Sequence, residues 1–304
     1  MKTAVVFPGF SPSSYPEVQE FIESNGYAEK WYSRAEDILG YSLKEAFREA
    51  TEADWEINEL AFLINTLALA DYAGENHSLT PEYCMGSSFG GMIGAVYTGS
   101  LSLADALWLS YQSTNREKRY MTERIFNRYQ TDFIYQYPAE RVMQDVRDYT
   151  EKGKYLEISS YLSRNLVAVS GEMDVIREMK KKVRQARGIS LFTMDRLIHC
   201  KKLKEIKEIV GREVHSRVSF RPPRIPMISD IDGSILVEPV KIKNLLLDWF
   251  DQPVRMHLAK TTMKKCGIEK VFVVGPRSIF GSLMSEDFSV EVISPETACQ
   301  TATG

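Results

Sequence analysis

Glu82-Tyr83-Cys84-Met85-Gly86-Ser87-Ser88-Phe89-Gly90-Gly91-Met92-Ile93-Gly94-Ala95-Val96-Tyr97-Thr98 holds, in order, a short strand, a serine framed by glycines and an apolar run that reads as a central helix. Gly86-Ser87-Ser88-Phe89-Gly90 has the GxSxG form of a nucleophile elbow. Small flanking residues let the chain turn sharply from strand into helix and hold the serine at the helix N-terminus. Ser88 is therefore the candidate nucleophile. A serine hydroxyl is a weak nucleophile until a base takes its proton, and near neutral pH that base is usually histidine. The chain has 4 histidines. His77 lies in a polar loop, His215 and His257 lie in charged segments, and His199 directly follows a predicted strand, which makes it the best placed.

Outward from the elbow, Ala4 to Phe7 reads as a buried strand stopped by Pro8-Gly9. Glu17 to Glu23 and the nearly all-apolar Leu60 to Tyr72 read as helices, the second buried on most sides. Between Thr131 and Met194 the pattern changes. Asp132 to Tyr137, Tyr155 to Ser160, Leu166 to Ser170 and Ile189 to Met194 read as strands, with helices at Pro138 to Thr150 and Glu172 to Arg187. That is βαββαβ, the ferredoxin-like order. Ile225 to Ser229 and Lys270 to Val274 then fit buried parallel strands, separated by helical Val240 to Phe250 and His257 to Lys265. The expected class is α/β. A large subdomain occupies 1–125, is interrupted by a ferredoxin-like small subdomain over 126–196, and resumes over 197–304.

Composition narrows the function. In 304 residues, 44% are hydrophobic and 26% charged, so a sizeable core is expected and global disorder is excluded. Lys plus Arg is 38 against 41 for Asp plus Glu, a net charge of −3, which argues against nucleic acid as a partner. The longest apolar run, Leu60 to Ala70, is interrupted by Asn65 and Thr66 and is too short to span a membrane. The N-terminus lacks the apolar region of a secretory signal, and the 4 cysteines form no CxxC pair, so a cytoplasmic protein with reduced thiols is expected. No metal or nucleotide motif is present, and no permanently bound cofactor is expected.

Phe7-Pro8-Gly9, the elbow, Ile198-His199-Cys200, Asp251-Gln252-Pro253-Val254 and Val274-Gly275-Pro276 follow one another in the order and at about the spacing of malonyl-CoA:acyl carrier protein transacylases. Phe220-Arg221-Pro222-Pro223-Arg224-Ile225-Pro226 followed by Ser229 also resembles that family. The resemblance covers essentially the whole chain. It implies an α/β-hydrolase-like core with a parallel sheet, interrupted by the ferredoxin-like subdomain. It further implies a Ser-His dyad that moves an acyl group from acyl-CoA or a carrier thioester to the phosphopantetheine thiol of an acyl carrier protein, in polyketide, peptide hybrid or fatty-acid synthesis. Ser88 would attack, His199 would carry the proton, and the Trp249 carbonyl would orient the imidazole. The backbone N–H groups of Phe10 and Phe89 would form the oxyanion hole.

Several positions depart from the family. Gly9 is followed by Phe10-Ser11-Pro12-Ser13-Ser14 in place of a glutamine-rich loop, the histidine within the elbow is Ser87, the acidic residue after it is Gly91, and a glutamine aligns with Glu59. Ser160-Tyr161-Leu162-Ser163 replaces an asparagine-rich turn. The arginine that pairs with the free carboxylate of malonate aligns with Ser113. Arg116, one turn further on, would substitute only if the helix shifted. Glu59, Ser113, Arg116 and Ile198 are thus the candidate substrate-binding residues, with malonyl disfavoured. An acyl-carrier-protein hydrolase of the same build is the alternative activity, and a non-enzymatic carrier scaffold is opposed by retention of Ser88 and His199. Lys180, Lys181, Lys182, Arg184 and Arg187, with Lys201, Lys202, Lys204 and Lys207, are the cationic clusters available to an acidic carrier protein or to solvent.

Overall fold

The structure, a computed structural model, describes residues 2–300 except 12, 127, 277 and 278. Pro12 of the first loop therefore lies outside the described residues. In chain order, β1 (Lys2–Phe7) is followed by α1 (Tyr15–Ser24), α2 (Gly26–Leu39), α3 (Leu43–Glu49) and α4 (Trp55–Asn76). Next come β2 (Tyr83–Gly86), α5 (Gly90–Tyr97) and α6 (Leu103–Glu123). The middle of the chain forms β3 (Tyr129–Tyr135), α7 (Ala139–Glu151), β4 (Leu156–Ser163), β5 (Leu166–Glu172), α8 (Met173–Gln185) and β6 (Ile189–Met194). The remainder forms α9 (Lys204–Glu213), β7 (Met227–Ile228), β8 (Ile235–Leu236), α10 (Pro239–Asp248), β9 (Val254–Arg255), α11 (Met256–Lys265), β10 (Ile268–Val274), α12 (Phe280–Ser285), β11 (Ser289–Ile293) and α13 (Pro295–Gln300).

These strands build an α/β fold with two sheets. The first has the order β11-β10-β1-β2-β7-β8, all parallel pairs except the antiparallel edge β7-β8. Ala4 to Phe7 are fully buried, as a strand covered on both faces requires. The second sheet has the order β6-β3-β5-β4-β9. Its first four strands are antiparallel and enclose α7 and α8 in the βαββαβ order, and the two-residue β9 joins β4 in parallel.

The strand expected over Ile225 to Ser229 is pared to two residues, because Pro226 lacks an N–H and its carbonyl instead accepts from the Cys84 N–H at 3.0 Å. α4 exceeds its expected span at both ends and is buried along 60–70. A Ser102 cap that accepts from the Asp105 N–H at 3.0 Å starts α6 beside it. The pairing of Phe7 with Gly86 brings the carboxyl ends of β1 and β2 together, where α/β sheets commonly bind ligands.

Candidate active site

The elbow after β2 is built by close backbone crossing. A Cβ on Gly86 would sit 2.1 Å from the Gly90 carbonyl oxygen, and one on Gly90 would sit 2.2 Å from the Phe7 carbonyl oxygen. Only glycine fits at either place. Ser88, between them, has φ +53°, a left-handed conformation that a non-glycine residue keeps only when its surroundings enforce it. Those surroundings are hydrogen bonds. Ser87 N–H donates to the Phe7 carbonyl at 3.0 Å, Gly90 N–H to that of Ser87 at 2.8 Å, and Gly91 N–H to that of Ser88 at 2.7 Å. Ser88 N–H donates to Oδ2 of Asp230 at 2.8 Å. Burial holds the Asp230 carboxyl up at about 6, against the pull of that N–H.

His199 lies between β6 and α9, 5% exposed and also left-handed at φ +51°. Its Nδ1 is hydrogen-bonded to the Trp249 carbonyl just past α10, and the Cys200 N–H donates to the Phe250 carbonyl at 3.1 Å. Two adjacent residues are thereby stitched to two adjacent residues. With Nδ1 donating to a carbonyl, Nε2 is the atom left to accept a proton. Burial drives the His199 pKa down to about 4, with the Trp249 carbonyl opposing and the Arg196 charge assisting. The imidazole is therefore neutral at physiological pH.

Ser88 and His199 line one pocket of about 70 Å³. No hydrogen bond joins them directly among the described residues, as is common for catalytic pairs without substrate. Phe10, Phe89, Met92, Ile198, Leu203 and Trp249 give the pocket its apolar wall. The Phe89 ring stacks on Trp249 with centroids 6.2 Å apart and meets Phe10 edge-on at 6.2 Å. Neither the Phe10 nor the Phe89 N–H is engaged in a hydrogen bond among the described residues.

The pocket is also lined by Glu59, Ser110, Ser113, Thr114, Glu117 and Arg196. Glu59, Ser113 and Ile198 thus all line the pocket. Arg116 does not line it. Its guanidinium points along the flank of α6 facing α9, bound to Glu213 at 3.2 Å and to the Gln112 side chain at 2.7 Å. The other three histidines do not line the pocket either, and His77 is held by Glu291 at 2.6 Å. Glu117, Arg196 and Asp230 were not singled out in the sequence. Glu117 lies four residues after Ser113, one turn along α6, which is the signal that would have found it. Much of the cationic surface is engaged: Lys180 with Asp132, Lys182 with Asp145, and Lys207 with Asp248 and Asp251.

No family model matches the sequence. Individual proteins do match it. The malonyl CoA-acyl carrier protein transacylase of Bacillus subtilis (strain 168) is 22% identical over 307 aligned positions, covering 97% of this chain and 95% of the relative. That of Buchnera aphidicola subsp. Schizaphis graminum is 22% identical over 299 positions, covering 96% and 94%. The FabD structure from Acinetobacter baumannii superposes with a TM-score of 0.87 at 21% identity, over 99% of this chain and 96% of that one. By sequence and by fold, the chain matches the malonyl-CoA:acyl carrier protein transacylases. A solved complex of a malonyl-transacylase with a type II polyketide acyl-carrier protein superposes with a TM-score of 0.86 at 18% identity. Each superposition covers 99% of this chain. Among the described residues no helix is long and apolar enough to cross a membrane, and no cluster of metal-ligating side chains is found.

Proposed function

We propose that the protein is a serine acyltransferase that moves an acyl group between thioesters of coenzyme A and acyl carrier proteins through an acyl-Ser88 intermediate. The observation that carries this is the convergence on one pocket of a serine on a strained elbow and a neutral histidine held through Nδ1 by a backbone carbonyl. Ser88 Oγ attacks the thioester carbonyl while His199 Nε2 takes the hydroxyl proton. The carbon–sulfur bond then breaks, the thiolate leaves with that proton, and an ester to Ser88 remains. A phosphopantetheine thiol next gives its proton to His199 and attacks the ester, reforming a thioester and the free hydroxyl. The uncommitted N–H groups of Phe10 and Phe89 are suited to the oxyanion formed in each half-reaction. Phe10, Phe89 and Trp249 act through backbone atoms, which tolerate the loss of the family's first-loop glutamines.

In this reading the first sheet is the α/β-hydrolase-like core, contributed by 1–125 and 197–304, and 126–196 is the inserted small subdomain. The four consecutive strands β3 to β6, confined to the second sheet, favour these boundaries. Four unpaired cysteines suit a reducing, cytoplasmic setting. No resident cofactor is required by the chemistry.

Intact-mass measurement after incubation with acyl-CoA and acyl-carrier thioesters tests the proposal. Ser88→Ala, which lacks the oxygen that is acylated, forms no acyl-enzyme, and His199→Ala lowers its formation by about a thousandfold or more, while the chain stays folded in both. Full turnover by either variant overturns the dyad. An adduct that passes to the thiol of a carrier protein supports transfer, and one that passes only to water supports the hydrolase instead.

A further inference from the structure

The polar wall of the pocket is charged in a lopsided way. Both terminal nitrogens of Arg196 lie 3.2 Å from Oε1 of Glu59, and its Nη1 lies 3.7 Å from Oε1 of Glu117. The second oxygen of Glu59 accepts from the Thr114 hydroxyl. Trp55 lies under the guanidinium, its ring centroid 4.7 Å from the central carbon. The side chains are 9% exposed for Arg196, 8% for Glu59 and 14% for Glu117. Two carboxylates therefore face one guanidinium, and Arg196 is the one cation lining the pocket among the described residues. Such a surplus of buried negative charge is relieved by a proton or by a cation from outside.

Two further groups in the same wall lack partners. The hydroxyls of Ser110 and Ser113, residues 1% and 5% exposed, line the pocket without a hydrogen bond. A buried polar group left unsatisfied is costly, and one that faces a ligand pocket is satisfied when the ligand arrives. Together with the Glu117 carboxylate these hydroxyls offer three acceptor groups around one small space. An alkylammonium has three N–H donors and no acceptor, which is the complementary set. Malonate is the opposite case. Its carboxylate would enter as a third anion beside a guanidinium already bound to Glu59, a like-charge clash that selects against it.

We infer that the acyl group handled here is a short aminoacyl group whose ammonium is bound by Glu117, Ser110 and Ser113, with Arg196, itself fixed by Glu59, holding Glu117 in place. This rests on the acyl-Ser88 chemistry proposed above and specifies its substrate class. The pocket volume, about 70 Å³, suits a short chain.

The experiment compares loading of Ser88, by intact mass, from the N-acetylcysteamine thioesters of β-alanine, of its uncharged isostere butyrate, and of malonate. The expected result is a β-alanyl to butyryl rate ratio of about a hundredfold, with malonyl loading slowest, since a site built around hydrogen-bonding groups rejects an analogue that lacks the partner. Glu117→Gln lowers that ratio at least about tenfold, as expected for loss of a buried charge pair, and Ser113→Ala, which leaves all three charged groups in place, lowers it by a smaller factor. Because each value is a ratio within one protein sample, a partly misfolded variant does not alter it. Butyryl loading equal to or faster than β-alanyl, preferential malonyl loading, or a ratio unmoved by Glu117→Gln overturns the inference while leaving the acyltransferase intact. Loading from none of the three, nor from acyl-CoA or acyl-carrier donors, overturns the acyltransferase itself and this inference with it.

Discussion

At His199 and Glu117 the pocket acts on a base and an acid in the same sense, favouring the uncharged form of each. Burial pushes the imidazole down to about 4 and the Glu117 carboxyl up to about 7, the latter opposed by Arg196 and reinforced by Glu59. For His199, the proposed base, this secures the neutral form that proton transfer needs. For Glu117 it stores a penalty that grows with pH. Between about 4.5 and 7 the folded chain keeps a proton that the unfolded chain has released, so this group's effect on stability worsens as pH rises through that window. Glu117→Gln removes the penalty. Urea denaturation of the variant and the parent at pH 4 and pH 8 should show the variant's relative stability rising by on the order of 3 kcal/mol between the two. A difference that stays constant with pH would mean that Glu117 titrates normally in the folded chain. The serine and the histidine were legible because a local motif and a chain position mark them. Asp230 and Arg196 were not, since their significance comes from partners 142 and 137 positions away.

The element that matters most is the junction of β2 with α5. Its glycines hold backbone strands of β1, β2 and α5 closer than any Cβ allows, and that approach is what forces Ser88 out of the right-handed region. Gly90→Ala would drive a methyl group into the Phe7 and Pro8 carbonyls, at 2.2 and 2.6 Å. Backbone cannot yield there as a side chain would. The expected outcome is a loss of about 3 kcal/mol or more, at the upper end of overpacking costs, together with loss of acyl-Ser88 formation. Thermal unfolding measures the first and intact mass the second. An unchanged melting temperature would mean that the crossing is looser than its contacts indicate. The elbow was readable because strand, turn and helix each leave a local pattern. The pairing of β9 with β4 was not readable, because two residues carry no periodicity and their strand character exists only through the ladder from Ser160 and Tyr161 to Val254 and Arg255.

At the scale of the molecule, that two-residue pairing is the seam between the sheets. Val254 follows Trp249 by five positions, is 2% exposed and packs in one apolar cluster with Leu162 and Leu166 of the second sheet and Val6 and Met85 of the first. Arg255 ties the same point to the elbow's support, its N–H donating to the Asp230 carbonyl at 2.6 Å and its guanidinium to that of Ile231 at 3.1 Å. The segment that orients His199 therefore runs straight into the seam. The resemblance foretold both sheets, yet the dependence of the candidate dyad on their docking follows from these contacts alone. Val254→Asp would place an unpaired carboxylate in the seam at a cost of about 3 kcal/mol or more. If the seam positions His199, molecules that remain folded lose the Cys200–Phe250 hydrogen bond's protection against amide exchange, and acyl-Ser88 forms more slowly than the folded fraction alone accounts for. Should loading scale only with the folded fraction while Cys200 keeps its protection, the two sheets act independently and the orientation of His199 is local to residues 198–200 and 249–250.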